Sequence, residues 1–281
     1  MNINTVLFPT DFSDNAEKAL PYALEICKRA DARLSIMHSA DRPFDYGSDD
    51  EEAHKSHTQN LHRMMDRLVE EIKQEKKNRP LQVKTVLESG NTVSSILGQV
   101  TQLDADLIVM GTKGASGVKK VLYGSNTTDL ILKSKVPVLA IPENVSYHGI
   151  EHITFTTDFH DRDLEALGDT VQLATLFDAA TTVLHVDMNN DFLTDIKFRG
   201  FRDLAAEELG DEKLEFQRVY EFSYYAGIAD YLTDHTTSLL VMVRYKKPFF
   251  DSLLKMDHTK QMGFSTKIPL LVLPGEAYKD Q

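Results

Sequence analysis

The apolar run Leu107-Ile108-Val109-Met110 leads into Gly111-Thr112-Lys113-Gly114-Ala115-Ser116-Gly117, and Gly124-Ser125-Asn126-Thr127-Thr128 then opens a helical stretch. Residues of these types suit a phosphate. Glycine turns tightly and lets the backbone approach a ligand more closely than a Cβ permits. The N–H groups at a helix start, aided by the helix dipole, attract phosphate oxygens. Ser125, Asn126 and Thr127 add short donors at the same helix start. Lys113, Lys119 and Lys120 gather positive charge although the formal net charge of the chain is −12. The plainer alternative is an ordinary strand-to-helix connection with solvated lysines. Neither G-x-x-x-x-G-K-[ST] nor G-x-G-x-x-G is present, so the P-loop and dinucleotide fingerprints do not apply.

Asp11, in Thr10-Asp11-Phe12-Ser13, is a carboxylate directly after the first strand; it could serve a ligand, or organise the turn or cap the next helix. No general base and nucleophile pair stands out beside the glycines, which suits holding a ligand better than turning it over. His38 and His185 recur at strand ends in both halves of the chain, which favours hydrogen-bonded structural histidines over catalysts. Cys27 falls on the apolar stripe of a helix and reads as packing.

The elements that must position these residues come in two copies. Val6-Leu7-Phe8-Pro9-Thr10-Asp11-Phe12 returns as Ile153-Thr154-Phe155-Thr156-Thr157-Asp158-Phe159, and Leu34 to His38 returns as Thr181 to His185, both at an offset of 147. Leu107 to Pro142 matches Leu239 to Pro274 without a gap at an offset of 132. The shorter middle of the second copy places the charged stretch Asp41 to Arg79 at the surface of the first. Within each copy, short apolar runs alternate with amphipathic stretches, the pattern of βαβ units on a parallel sheet. Strands are expected at Thr5 to Pro9, Arg33 to His38, Gln82 to Leu87, Leu107 to Met110 and Pro137 to Ile141. Ala16, Leu20, Ala23, Leu24 and Cys27 mark the first helix, with Ser13 or Asn15 as its N-cap. The joint falls in the polar stretch Glu143 to Gly149, giving domains 1–145 and 146–281.

A length of 281 residues fits two domains of about 150. Hydrophobic residues at 42% and charged residues at 26% exclude disordered and coiled-coil classes, and the acidic balance argues against a broad nucleic-acid or membrane-binding face. A single cysteine rules out an intrachain disulfide framework. No apolar run approaches the ~20 residues of a membrane helix, and Asp11 arrives too soon for a signal peptide. The expectation is a cytoplasmic protein.

The spacing Gly111-x2-Gly114-x9-Gly124-Ser125, directly after Val109-Met110, resembles the G-x2-G-x9-G-[S/T] ATP-binding signature of the universal stress protein family. Val6 to Ser13 and Leu34 to His38 resemble that family's first two strands. The likeness extends over nearly the whole chain as a tandem pair, in motif for the first copy and in skeleton for the second. It implies an α/β fold of two flavodoxin-like domains, each a five-stranded parallel sheet of order 3-2-1-4-5 with helices on both faces. An adenine nucleotide (ATP, ADP or AMP) would lie between the ends of strands one and four. By this resemblance Pro9, Thr10 and Asp11 line the adenosine end, with Ser39 beside the base. Met110, Gly111, Lys113, Gly114, Gly124, Ser125, Asn126 and Thr127 hold ribose and phosphates. Mg²⁺ bridged by Asp11 and phosphate oxygens is a secondary expectation. Family members commonly dimerise through the fifth strand, so the copies could pair with each other in one chain, and chains could pair further as a homodimer.

In the second copy Gly111 becomes Val243, Gly114 becomes Lys246, Gly124 becomes Met256 and Ser125 becomes Asp257, so every cradle position is lost. Arg244 to Phe250 mix cations with aromatic bulk. Either Pro248 to Phe250 fill the vacated pocket, or the loop serves a partner or another anionic ligand. The apolar stretch Phe192 to Leu204 reads as a core helix in preference to a ligand tunnel, with an apolar lid as the alternative. The function expected is a nucleotide-binding regulatory or stress-response module with little turnover. The alternatives are a slow Mg²⁺-dependent ATPase using Asp11, or a protein-interaction scaffold acting through the second copy.

Overall fold

The apolar runs are strands because β-branched and bulky side chains pack on both faces of a covered sheet. The computed structural model describes residues 1–40, 51–74, 81–112, 124–210, 214–245 and 268–278. In the first half β1 (Thr5–Pro9), α1 (Asp14–Ala30), β2 (Arg33–Ala40), α2 (Glu51–Gln74), β3 (Val83–Ser89), α3 (Thr92–Leu103), β4 (Leu107–Gly111), α4 (Ser125–Lys133) and β5 (Val138–Ile141) alternate. The second half follows with β6 (His152–Thr156), α5 (Asp163–Phe177), β7 (Ala180–Asp187), α6 (Phe192–Leu209), β8 (Leu214–Tyr220), α7 (Tyr224–Asp234), β9 (Leu239–Arg244) and β10 (Leu270–Pro274).

All ten strands form one sheet of order β3-β2-β1-β4-β5-β10-β9-β6-β7-β8, so each half has the order 3-2-1-4-5. The halves meet where β5 and β10 pair antiparallel, with Leu271 opposite Leu139 and Val272 opposite Val138. All other pairings are parallel. Both fifth strands are thereby used inside the chain, leaving β3 and β8 at the sheet's edges. Phe8 and Phe155 occupy equivalent core positions at 1% and 0% exposure. Side chains buried to that extent contribute about 1.5–3 kcal/mol each.

Several local devices repeat with the sequence. Phe12 and Phe159 both adopt left-handed backbone, at φ 59° and 57°. In each case the preceding Thr hydroxyl, of Thr10 or Thr157, accepts the Phe N–H at 3.0 and 2.9 Å. A left-handed bulky residue costs roughly 1–2 kcal/mol, so this turn is held by its surroundings in both copies. α1 and α5 also end alike, on Asp31 and Asp178 in left-handed conformation. The joint between the halves is pinned to α1. Lys18 Nζ donates to the Glu143 carbonyl at 2.7 Å, and Tyr22 meets Tyr147 edge-on with centroids 4.8 Å apart.

Two expectations change. β2 extends to Ala40, so Ser39 lies within the strand, in register with Glu88 of β3. α6 is not a core helix: Phe201 and Ala205 are its buried residues, while Phe192, Leu193, Ile196 and Leu204 are 79%, 60%, 48% and 49% exposed. Its apolar residues spread around the helix instead of gathering on the stripe that faces the sheet. Cys27 is fully buried, and burial pushes its thiol up to about 12, which removes the thiolate needed for redox work.

Candidate functional site

In an open parallel sheet the loops beyond the strands' carboxyl ends diverge where strand order reverses, and a crevice opens there. In the first half that place lies between β1 and β4, which pair through Val6 with Leu107 and Leu7 with Ile108. Pro9, Thr10 and Asp11 leave β1 here, Met110 and Gly111 end β4, and Ser39 lies in β2 next door, one residue before its end at Ala40. Lys113 and Gly114, with Lys119 and Lys120, lie outside the described residues.

The amino end of α4 is docked onto the end of β4. Gly124 N donates to the Thr112 carbonyl at 2.7 Å, and Thr127 Oγ1 donates to the carbonyls of Thr112 and Gly111 at 3.2 and 3.3 Å. Thr127 is therefore buried and structural, while Ser125 and Asn126 are exposed. Gly124 is the N-cap and supplies no side-chain acceptor, in contrast to α1, where Ser13 Oγ accepts from Ala16 N. An uncapped helix start offers its N–H groups to an anion.

Gly111 is required here by close packing. A Cβ at this position would lie 2.6 and 2.9 Å from side-chain atoms of the buried Asn15, and 3.0 Å from its carbonyl oxygen. Of the two candidate N-caps of α1, Ser13 takes the role, and Asn15 packs on the glycine instead. Thr112 also went unnoticed. It is 1% exposed, and its carbonyl anchors α4.

Asp11 is exposed at the β1 turn, where its Oδ1 accepts from Ser13 N at 3.1 Å and Ser13 Oγ at 2.6 Å. It thus serves the turn and stands at the crevice. Ser39 Oγ donates to the Gly90 carbonyl at 3.3 Å. His38 Nδ1 donates to the Thr10 carbonyl at 2.8 Å, and His185 Nδ1 does the same to Thr157 at 2.9 Å. Both histidines fix the first-strand turn. Burial pushes the His185 imidazole below its ordinary value, opposed by its bond to Thr157 and by Asp158 and Asp187 nearby. The folded state therefore holds it neutral, while the unfolded chain protonates it below about pH 6.5. Its contribution is complete above that pH and declines as pH falls toward the folded-state value. Urea unfolding at pH 7.5 and 5.5 should show a smaller acid loss of stability for His185→Gln than for the parent chain.

The second half is built differently at the equivalent place. Val243 stands for Gly111, and the residue equivalent to Asn15 is Arg162, which donates to the Gly275 carbonyl at 3.4 Å. Asp163 accepts from Thr157 Oγ1 at 2.6 Å, His160 N at 3.1 Å and Asp158 N at 3.2 Å, organising the turn. Tyr245 donates its hydroxyl to the same carboxylate at 2.6 Å and stacks on His160 with centroids 3.6 Å apart. Arg244 does not supply positive charge to this loop. Its guanidinium reaches across to the end of α4 in the first half, donating to the carbonyls of Leu132 and Ser134 at 3.0 and 2.7 Å. It also pairs with Glu276 at 3.1 Å. Lys246, Lys247, Pro248 to Phe250, Met256 and Asp257 lie outside the described residues.

A universal stress protein family model matches residues 2–142, half of the chain. This chain belongs to the universal stress protein family. Universal stress protein YxiE of Bacillus subtilis is 27% identical over 150 residues, covering 49% of this chain and 98% of that protein. A universal stress protein of Thermus aquaticus is 30% identical over 142 residues, covering 49% of this chain and 97% of its own. The likeness in fold extends over both halves. A universal stress protein structure from Archaeoglobus fulgidus superposes with a TM-score of 0.75 at 17% identity, covering 98% of this chain and all of that one. Among the described residues no helix is long and apolar enough to cross a membrane.

Proposed function

We propose that the first half of this universal stress protein binds one adenine nucleotide per chain and acts as a regulatory, stress-response module with little or no turnover. The observation that carries this is the uncapped start of α4, fastened through Thr112 to the end of β4 beside the closely packed Gly111. The glycine spacing adds that a phosphate chain is the group to be held. Adenosine would lie toward Pro9, Thr10, Asp11 and Ser39, and phosphates against Met110, Gly111, Lys113, Gly114, Gly124, Ser125 and Asn126, with Thr127 offering only its backbone N–H because its hydroxyl is committed to the Gly111 and Thr112 carbonyls. Domains 1–145 and 146–281 divide the work, the second having lost the cradle.

Mg²⁺ has no cage of its own among the described residues, where no group of three metal-ligand side chains occurs. Asp11 would have to hold it together with phosphate oxygens, while also keeping Ser13. Such an ion would offset phosphate charge. Among the described residues no side chain beside the start of α4 is arranged as a base to activate a water, which supports holding over hydrolysis.

Calorimetry with ATP, ADP and AMP, with and without Mg²⁺, on metal-stripped protein should give one site per chain. Gly124→Asp, which sets a carboxylate at the helix start, should abolish it by repulsion. An unchanged Gly124→Asp isotherm would dismiss the reading. Because both fifth strands are paired internally, the chain should elute at its monomer mass in light-scattering chromatography. A second reading, partner binding through the second half, is favoured by the apolar side chains that α6 exposes. Equal partner capture by the parent and Gly124→Asp chains would support it.

A further inference from the structure

We propose that the cavity at the carboxyl ends of β6 and β9 binds an organic cation, an ammonium group carried on an apolar or aromatic body. The cavity is about 500 Å³, a drug-sized space, at the position where the first half has its crevice. Its walls are apolar, built from Phe159, Met188, Tyr224, Met242, Val243 and Tyr245. Its charged lining is acidic: Asp158, Asp161 and Asp163, with His160 beside them and no lysine or arginine among the described lining residues. Phosphates are repelled by such a lining, and an unpaired cation is attracted to carboxylates and to aromatic faces.

Two features separate this cavity from a merely collapsed version of the first site. The first concerns Asp158. Its counterpart Asp11 is tied to Ser13, but His160 replaces that serine, and the turn is organised by Asp163 instead. Asp158 is exposed, and no hydrogen bond or ion pair among the described residues engages its carboxylate. It is left at the cavity mouth without a duty in the turn. The second concerns Tyr245, which is fixed as a wall from three sides. It stacks on His160, donates to Asp163, and lies so close to Gly275 that a Cβ there would be 2.4 Å from its ring. A preformed aromatic wall in the same cavity as an uncommitted carboxylate is the combination that recognises an ammonium.

The test uses the full chain with ¹³C-methyl methionine, reading Met188 and Met242 by NMR. The probes are 2-phenylethylammonium, the neutral 3-phenylpropanol and the anionic 3-phenylpropionate. The ammonium should shift both methyl signals and bind at least about tenfold more tightly than the alcohol, with the carboxylate weakest. Asp158→Asn should erase the preference of cation over alcohol while the other methionine signals stay in place. Asp161→Asn, farther along the same turn, should reduce it less. The proposal is overturned if alcohol and ammonium bind alike, if no probe moves either methyl at millimolar concentration, or if Asp158→Asn keeps the full preference.

Discussion

A chain carrying Gly111→Val is expected to lose nucleotide affinity by about a hundredfold or more, some 2.7 kcal/mol, and to unfold about 1–3 kcal/mol more easily. The added Cβ would lie 2.6 Å from the Asn15 side chain and 3.0 Å from its backbone oxygen, so α1 or β4 must move. Either movement disturbs the contacts through which Thr127 binds the Gly111 and Thr112 carbonyls, and with them the start of α4. The second half already carries this substitution as Val243 and tolerates it, because Arg162 takes the place of Asn15 and its side chain is drawn off to the Gly275 carbonyl. Calorimetry and urea unfolding on the same samples separate the two effects. Pairing Gly111→Ala with Asn15→Gly should recover stability relative to Gly111→Ala alone. Full nucleotide affinity in Gly111→Val would show that the crevice does not depend on this close approach.

The second large effect is expected at Arg244. Replacing it with Met should cost about 2–4 kcal/mol, since the buried guanidinium's two bonds to carbonyls disappear and those acceptors are left unpaired. Arg244 is 7% exposed and binds the Leu132 and Ser134 carbonyls, the last acceptors of α4, where a cation also complements the helix dipole. Met fills similar volume without those bonds, so the loss reports the polar contacts and not a cavity. Glu276 is largely solvent-facing and should matter much less, so Glu276→Gln is the control. Urea unfolding read by circular dichroism decides it. If both variants match the parent, the clamp is not a source of stability.

The clamp also ties the two halves together physically. The arginine comes from the strand that ends in the altered cradle of the second half, and it grips the helix whose other end is the proposed phosphate site of the first.

Much of this was legible before any coordinates, and where it was not, the reason is physical. Strand and helix placement followed from local periodicity. β1 matches its expectation, β4 and β5 differ by one residue at one end, β3 starts one residue and ends two residues later, and Ser13 caps α1 as one of two candidates. Repeat offsets announced that both halves would share one topology, and both show the order 3-2-1-4-5. The misreadings involve contacts between distant residues. α6 read as a core helix because it is rich in Phe and Leu, yet composition does not say which of those side chains the sheet has room to cover. Arg244 read as loop charge because its neighbours are lysines. Its partners stand 110 and 112 residues away in sequence, and the antiparallel β5–β10 pairing brings them within reach.

By itself the sequence determined the family, the repeated α/β architecture and the glycine and hydroxyl spacing of the candidate phosphate site. Those depend on period, turn chemistry and residue type within a few dozen positions. The tertiary structure bore out the expected pairing of the fifth strands within one chain, and it alone decided that Asp163 relieves Asp158 of the turn and that Tyr245 walls an acidic, aromatic cavity. These depend on which surfaces meet once chain segments far apart in sequence are packed together.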